Sequence, residues 1–251
     1  MAGHSKWANR VHRKSRQDAK RSRLFAKLSR QIIAAARQGG PDPDKNIRLR
    51  LAIEAARAAS MPAENIQHAI KRGTGQVEGA QYEEATYEGY GPGGAALMIS
   101  VLTDNRQRTL SEIRNILKNA GGSLGEAGCV TWLFEQKGVI IVPKSAADED
   151  TVFLAAADAG AEDVLSEDEY WEIRTAPQDF SQVLQAVRAA GIEPERAEVT
   201  MIPISTSHVP DETAPKLLRL LDALEEHDDV QAVYSNFEIS DEILDRIEGA
   251  D

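Results

Sequence analysis

The apolar period of this chain changes at GTGQVEGAQ (residues 73–81), and that change limits what each side can become. Before it, apolar residues recur at the 3.6-residue spacing of amphipathic helices. After it they form short runs that alternate between strand and helix patterns. Over residues 18–38, Leu24, Phe25, Leu28, Ile32, Ala35 and Ala36 share one helical face. Arg16, Lys20, Arg23, Lys27, Arg30 and Arg37 share the other, and Gly39-Gly40-Pro41 ends the helix. A second helix, about 45–59, places Leu49, Ile53 and Ala56 inward. A third opens at Pro62, carries Glu64 in its first turn, and ends at Lys71-Arg72-Gly73 with Gly73 as the expected C-cap. Three short helices with short loops make a small bundle.

Beyond the linker, strands at 82–88 and 95–103 flank the turn GYGPGG. A helix at 106–120 turns Leu110, Ile113 and Leu117 inward, and a strand region at 129–142 is nicked at Lys137-Gly138. Residues 138–203 then read strand, helix, strand, strand, helix, strand, which is the ferredoxin-like βαββαβ order. The helix at 149–159 and the helix at 178–190 are its two crossovers. The flanks supply ββαβ before it, and a Leu-rich helix (213–226) and a strand (230–239) after it. Neither flank makes a two-layer unit alone, but together they make an open sandwich. The predicted fold is α+β: an N-terminal basic three-helix bundle followed by two ferredoxin-like α/β sandwich domains, one inserted in the other. The expected boundaries are 1–75 for the arm and bundle, 80–137 plus 204–240 for the discontinuous domain, and 138–203 for the insert.

Charge divides at the same place. The 251 residues carry a net −11, yet the first thirty hold ten Lys or Arg and one acid, Asp18. Residues 1–75 are +12 and residues 76–251 are −23. A basic arm on an acidic body meets a polyanion by counterion release while the body resists non-specific adhesion. Residues 1–17 show no sustained apolar period, and Trp7 and His12 are interleaved with Lys6, Arg10, Arg13 and Lys14. Aromatic and cationic groups together suit base stacking with phosphate contact. The expected nucleic-acid contacts are Lys6, Trp7, Arg10, His12, Arg13, Lys14, Arg16, Lys20, Arg21, Arg23, Lys27 and Arg30.

Arg106 and Arg108 join that set. They stand in the first turn of a helix that Thr103, Asp104 or Asn105 can cap, where cations oppose the helix dipole. Either they hold a partner's anion or they form an internal salt bridge; the residues leave both open.

Other chemistry finds no constellation. Gly89 to Gly94 leads into the apolar strand AALMISV rather than a helix, so it reads as a hairpin turn and not a dinucleotide loop. No Gly-x-x-x-x-Gly-Lys occurs, and no nucleophile elbow is read: the one Gly-x-Ser-x-Gly string, Gly121 to Gly125, follows the helix at 106–120 instead of joining a strand to a helix. His4, His12, His68, His208 and His227 lack ligand spacing, so no metal is expected. The acidic runs at 148–150 and 167–169 read as solvated surface. Cys129 cannot form an internal disulfide, reads as a small buried residue, and fits a reducing cytoplasm. No apolar run approaches the ~20 residues of a membrane span. The Arg-rich start imitates a transit peptide, but it runs unbroken into a patterned helix, as mature protein does. No catalysis, cofactor or small-molecule substrate is expected.

Five segments resemble one known family. MAGHSKWANRVHRKSRQDAKRSRLFAKL, YEGYGPGG, TDNRQRT, GGSLGEAGCVTWLF and the following KGVI are similar, in order, to the YebC/PmpR family. The resemblance implies three domains, a cytoplasmic bacterial protein or its mitochondrial relative, and no catalysis. It also implies one of two roles: a DNA-binding transcriptional regulator, or a ribosome-associated translation factor reading RNA through the same arm. Arg10-Val11 stands where the family usually has Ile-Lys, and Ile47 where it has proline; both keep the charge and the helix. With few base-reading groups, the arm is expected to bind through charge rather than sequence.

Overall fold

The computed structural model describes residues 18–79, 81–240 and 243. The fold is α+β, a helical bundle followed by two α/β sandwiches, one inserted in the other. The bundle consists of α1 (Asp18–Gly39), α2 (Ile47–Ala58) and α3 (Ala63–Gly73). Then come β1 (Glu83–Tyr90), β2 (Ala96–Thr103), α4 (Arg106–Asn119), β3 (Ser123–Leu124) and β4 (Phe134–Pro143). They are followed by α5 (Glu149–Ala157), β5 (Asp163–Ser166), β6 (Tyr170–Thr175), α6 (Phe180–Ala189) and β7 (Arg196–Pro203). The chain closes with β8 (Ser207–His208), α7 (Ala214–Glu225), β9 (Val230–Ser235) and β10 (Phe237–Glu238). Compact units form from residues 1–133 with 205–251, and from residues 134–204.

The bundle core joins Leu28, Ile32 and Ala36 of α1 to Leu49, Ile53 and Ala56 of α2 and Ile66 and Ile70 of α3. Buried Asn46 ties two helices with one side chain. Its Oδ1 accepts the Leu49 N–H at 3.0 Å, capping α2, while its Nδ2 donates to the carbonyls of Ala35 (2.8 Å) and Gly40 (2.9 Å). The expected cap at Gly73 is displaced. Gly73 is the last residue of α3, and a Cβ there would lie 2.6 Å from the Ile33 carbonyl oxygen and 2.7 Å from the Ala36 Cβ. Its small size serves helix–helix contact. The left-handed position falls at Gly75 (φ +76°), where the Gln76 N–H reaches back to the Lys71 carbonyl at 2.9 Å.

In the first sandwich the sheet order is β3-β1-β2-β9, antiparallel throughout. Leu97, Ile99 and Val101 pack against Ile113 and Leu117 of α4 and Leu217, Leu221 and Leu224 of α7. The expected strand over 230–239 is broken at Asn236. That side chain accepts the Ala96 N–H at 2.9 Å, and beyond it β10 leaves to pair in parallel with β8.

The inserted unit has sheet order β5-β6-β4-β7, the antiparallel arrangement that βαββαβ connectivity produces. Ile140, Val142 and Ile173 are buried, as are Val152 and Ala156 of α5 and Phe180, Val183 and Val187 of α6. The expected nick at Lys137-Gly138 is absent, because β4 runs unbroken from Phe134 to Pro143. Gly138 pairs with Thr175 and Val199, and a Cβ there would meet Thr175 and Phe180, so close packing requires the glycine. The strand also starts later than expected. The N–H groups of Val130 and Thr131 are taken by the Glu88 carboxylate at 2.8 and 2.9 Å, and residues 131–133 form a 3-10 turn instead of a ladder.

Candidate nucleic-acid interface

Lys6, Trp7, Arg10, His12, Arg13, Lys14 and Arg16 lie outside the described residues. Lys20 and Arg21 stand on the described backbone of α1, with side chains outside that description. The next cations, Arg23, Lys27 and Arg30, fall at i, i+4 and i+7 and share one stripe of α1.

That stripe meets the C-terminal end of α7 and the acidic run Glu225-Glu226-His227-Asp228-Asp229. Arg23 pairs with Glu226 at 3.6 Å, both side chains being exposed. Lys27 Nζ donates to the Glu225 carbonyl, and an Arg30 guanidinium N–H donates to the Asp228 carbonyl. Arg30 also lies 3.3 Å from the Asp229 carboxylate and 5.6 Å from the Tyr82 ring centroid. The last turn of α7 holds no base of its own, so these cations answer the negative end of its dipole, Lys27 at the Glu225 carbonyl itself. Burial lowers the Lys27 ammonium from its ordinary value, against the opposing pull of Glu225 and Asp228.

Asp229 is the centre of the contact, buried at 3% exposure. Its Oδ2 accepts from Thr109 (2.6 Å), Arg108 (2.7 Å) and Thr103 (3.1 Å), while Oδ1 faces Arg30. Burial by itself would raise this carboxyl. The hydrogen bonds from Thr109, Arg108 and Thr103, with the charge of Arg30, outweigh burial and hold it below the usual carboxylate range. His227 Nδ1 accepts the Asp229 N–H at 3.1 Å, which leaves its Nε2 to donate to Glu112 at 2.9 Å.

Asn105 caps α4 by accepting the Arg108 N–H at 3.1 Å. The Arg108 guanidinium bridges Asp104 (2.9 Å) and Asp229 (2.7 Å), and these acids offset its unfavourable place in the first turn. Arg106 is exposed, and its carbonyl accepts from the Tyr87 hydroxyl at 3.1 Å. Of the two arginines that sequence reasoning grouped, one is an internal ion-pair partner and the other faces solvent. Sequence reasoning missed Asp229 and Glu88. Nothing in an acid beside a strand reveals that it is buried, although the pair of threonines at 103 and 109 offered it donors.

The comparisons with known proteins cover nearly the whole chain. Residues 5–76 match the family described as "TACO1/YebC protein N-terminal domain", and residues 82–237 match "TACO1/YebC second and third domain". A "Probable transcriptional regulatory protein" of Persephonella marina is 56% identical over 249 residues, covering 98% of this chain and 100% of the relative. One of the same name from Moorella thermoacetica is 56% identical over 251 residues, covering 99% and 100%. The crystal structure of a conserved hypothetical protein from Aquifex aeolicus superposes with a TM-score of 0.83 at 50% identity, covering 90% of this chain and 94% of that one.

Proposed function

The chain belongs to the TACO1/YebC family, and from that membership and its division of charge we propose a non-enzymatic, nucleic-acid-binding regulator of gene expression, in the first place a DNA-binding transcriptional regulator. The observation that carries this reading is the +12 segment at residues 1–75 set against −23 in the remainder. Phosphate contact by such a segment is driven by counterion release and needs no base-reading helix. Within the segment, Arg23, Lys27 and Arg30 are engaged with the α7 end, and on that ground we assign the proposed contact first to residues 6–21 and to exposed Arg106. Relatives named as transcriptional regulators favour DNA. The interleaving of Trp7 and His12 with cations favours the second reading, RNA bound at the ribosome. A cytoplasmic setting goes with either, and no helix among the described residues is long and apolar enough to cross a membrane.

Crosslinking in cells, followed by sequencing of the recovered nucleic acid, tests the proposal. DNA enriched over a control lacking residues 1–17 supports the transcriptional reading; ribosomal RNA enriched over that control supports the translational one. Recovery no greater than the control's refutes both.

A further inference from the structure

The loop of residues 125–133 is braced to an unusual degree for a surface segment. The Glu88 carboxylate, 7% exposed, accepts three of its backbone N–H groups, from Gly128 (2.7 Å), Val130 (2.8 Å) and Thr131 (2.9 Å). Burial would raise that carboxyl, but these hydrogen bonds prevail and lower it. Gly125 N–H binds the Glu88 carbonyl at 2.8 Å, Gly128 takes the left-handed φ of +88°, and Val130 is fully buried. The loop nevertheless exposes 69% of Trp132, next to Tyr90 at 39%.

The polar edges of both rings turn to one backbone carbonyl. Trp132 Nε1 donates to the Cys129 carbonyl at 3.1 Å, and the Tyr90 hydroxyl donates to the same oxygen at 3.2 Å. Trp and Tyr at protein interfaces ordinarily offer these donors to the partner. Here the donors are already satisfied, the ring orientations are held, and only aromatic faces remain to offer. A flat aromatic surface without a free donor suits stacking, which accepts any base because every base has a π-face. Bases in a duplex are already stacked on each other, so such a surface selects unpaired ones.

We propose that Trp132 and Tyr90 form a stacking platform for unpaired bases in a single-stranded stretch of nucleic acid. The platform rests on the nucleic-acid reading above and adds to it a preference for strand state. Phosphate attraction comes from the N-terminal cations, and the platform supplies contact that salt does not screen. RNA and melted DNA both present this chemistry.

Occupancy is read on the unaltered full chain, and emission on the same chain carrying Trp7→Phe, a proposed contact replaced only so that Trp132 and the buried Trp171 are the tryptophans left. Labelled unstructured single strands of RNA and of DNA, and a duplex of the same sequence, are titrated while anisotropy reports occupancy and indole emission reports stacking. The expected result is quenching by single strands and none by duplex at equal occupancy, with a larger response to RNA or to DNA naming the source. Trp132→Ala should weaken single-strand binding roughly 5- to 150-fold and leave duplex binding unchanged. Its mostly exposed ring should leave the melting temperature near the parent's. Bound single strands that leave the emission unchanged, or a Trp132→Ala chain that binds them as tightly as the parent, overturn the platform alone. A full chain that binds no nucleic acid in any form overturns the functional reading and the platform with it.

Discussion

Replacing Asp229 by alanine removes the acceptor on which four side chains converge, and the structure sets how much that costs. Breaking a buried ion pair by deleting one partner costs about 3–5 kcal/mol when the other charge stays buried. Here Arg30 and Arg108 keep 17% and 44% of their side-chain surface exposed, so both can rehydrate. Thr103 and Thr109 also bond each other at 2.8 Å, and Thr109 reaches the Asn105 carbonyl at 3.1 Å, so neither hydroxyl is stranded. These outlets bring the expected loss to about 2–3 kcal/mol, or roughly 5–10 °C of melting temperature for a unit of this size. Asp229→Asn keeps the shape and one acceptor and should lose about half as much. Thermal unfolding followed by circular dichroism reads both variants. An Asp229→Ala protein melting within a degree of the parent would refute the reasoning, because the carboxylate would then not join α1 to α4 and the α7 end. The pH dependence carries a definite sign. Asp229 is depressed in the folded state, so its contribution is present above the unfolded carboxylate value near ~4 and is lost as pH falls through the lower folded value. Asp229→Asn should flatten that acid limb.

Three further outcomes are expected. Glu88→Gln replaces an acceptor-only group serving three N–H donors, and should cost about 2–3 kcal/mol and shift Trp132 emission, read by denaturant titration with fluorescence. Arg106→Glu places an acid where the α4 dipole favours one, so stability should hold or rise slightly while nucleic-acid affinity falls; unchanged affinity removes Arg106 from the interface. Adding Arg108→Glu to it should lower the melting temperature, because that side chain bridges Asp104 and Asp229; a double variant as stable as Arg106→Glu alone contradicts the bridge.

Periodicity revealed the bundle and the inserted βαββαβ unit because their helices are amphipathic and their strands short. Leu28, Ile32, Leu49, Ile53, Ile113 and Leu117 all occupy the buried faces that spacing assigns them. Spacing could not say which glycine serves which purpose. Gly73 and Gly138 are required by atoms that approach from distant segments, α1 for one and α6 for the other. The ends of strands were hidden for a related reason. Asn236 and Glu88 take backbone partners far away in sequence and so redirect the ladder. At the candidate site the basic stripe of α1 was legible as charge, but its engagement by Glu225–Asp229 depends on where α7 ends in space. Trp132 passed as an ordinary strand residue, since its exposure follows from the turn that Glu88 imposes.

The central claim, that nucleic acid binds through the N-terminal cations, is tested most directly by fluorescence anisotropy of the full chain and of residues 18–251 on one labelled oligonucleotide over a range of salt. Seven or so phosphate contacts predict a log–log slope of about −5 to −6 for the full chain. Loss of residues 1–17 should abolish most of the affinity, and the shortened chain should keep the parent's far-ultraviolet spectrum. A shortened chain that binds as tightly as the parent, or a full chain whose affinity is flat from low to physiological salt, would contradict the claim.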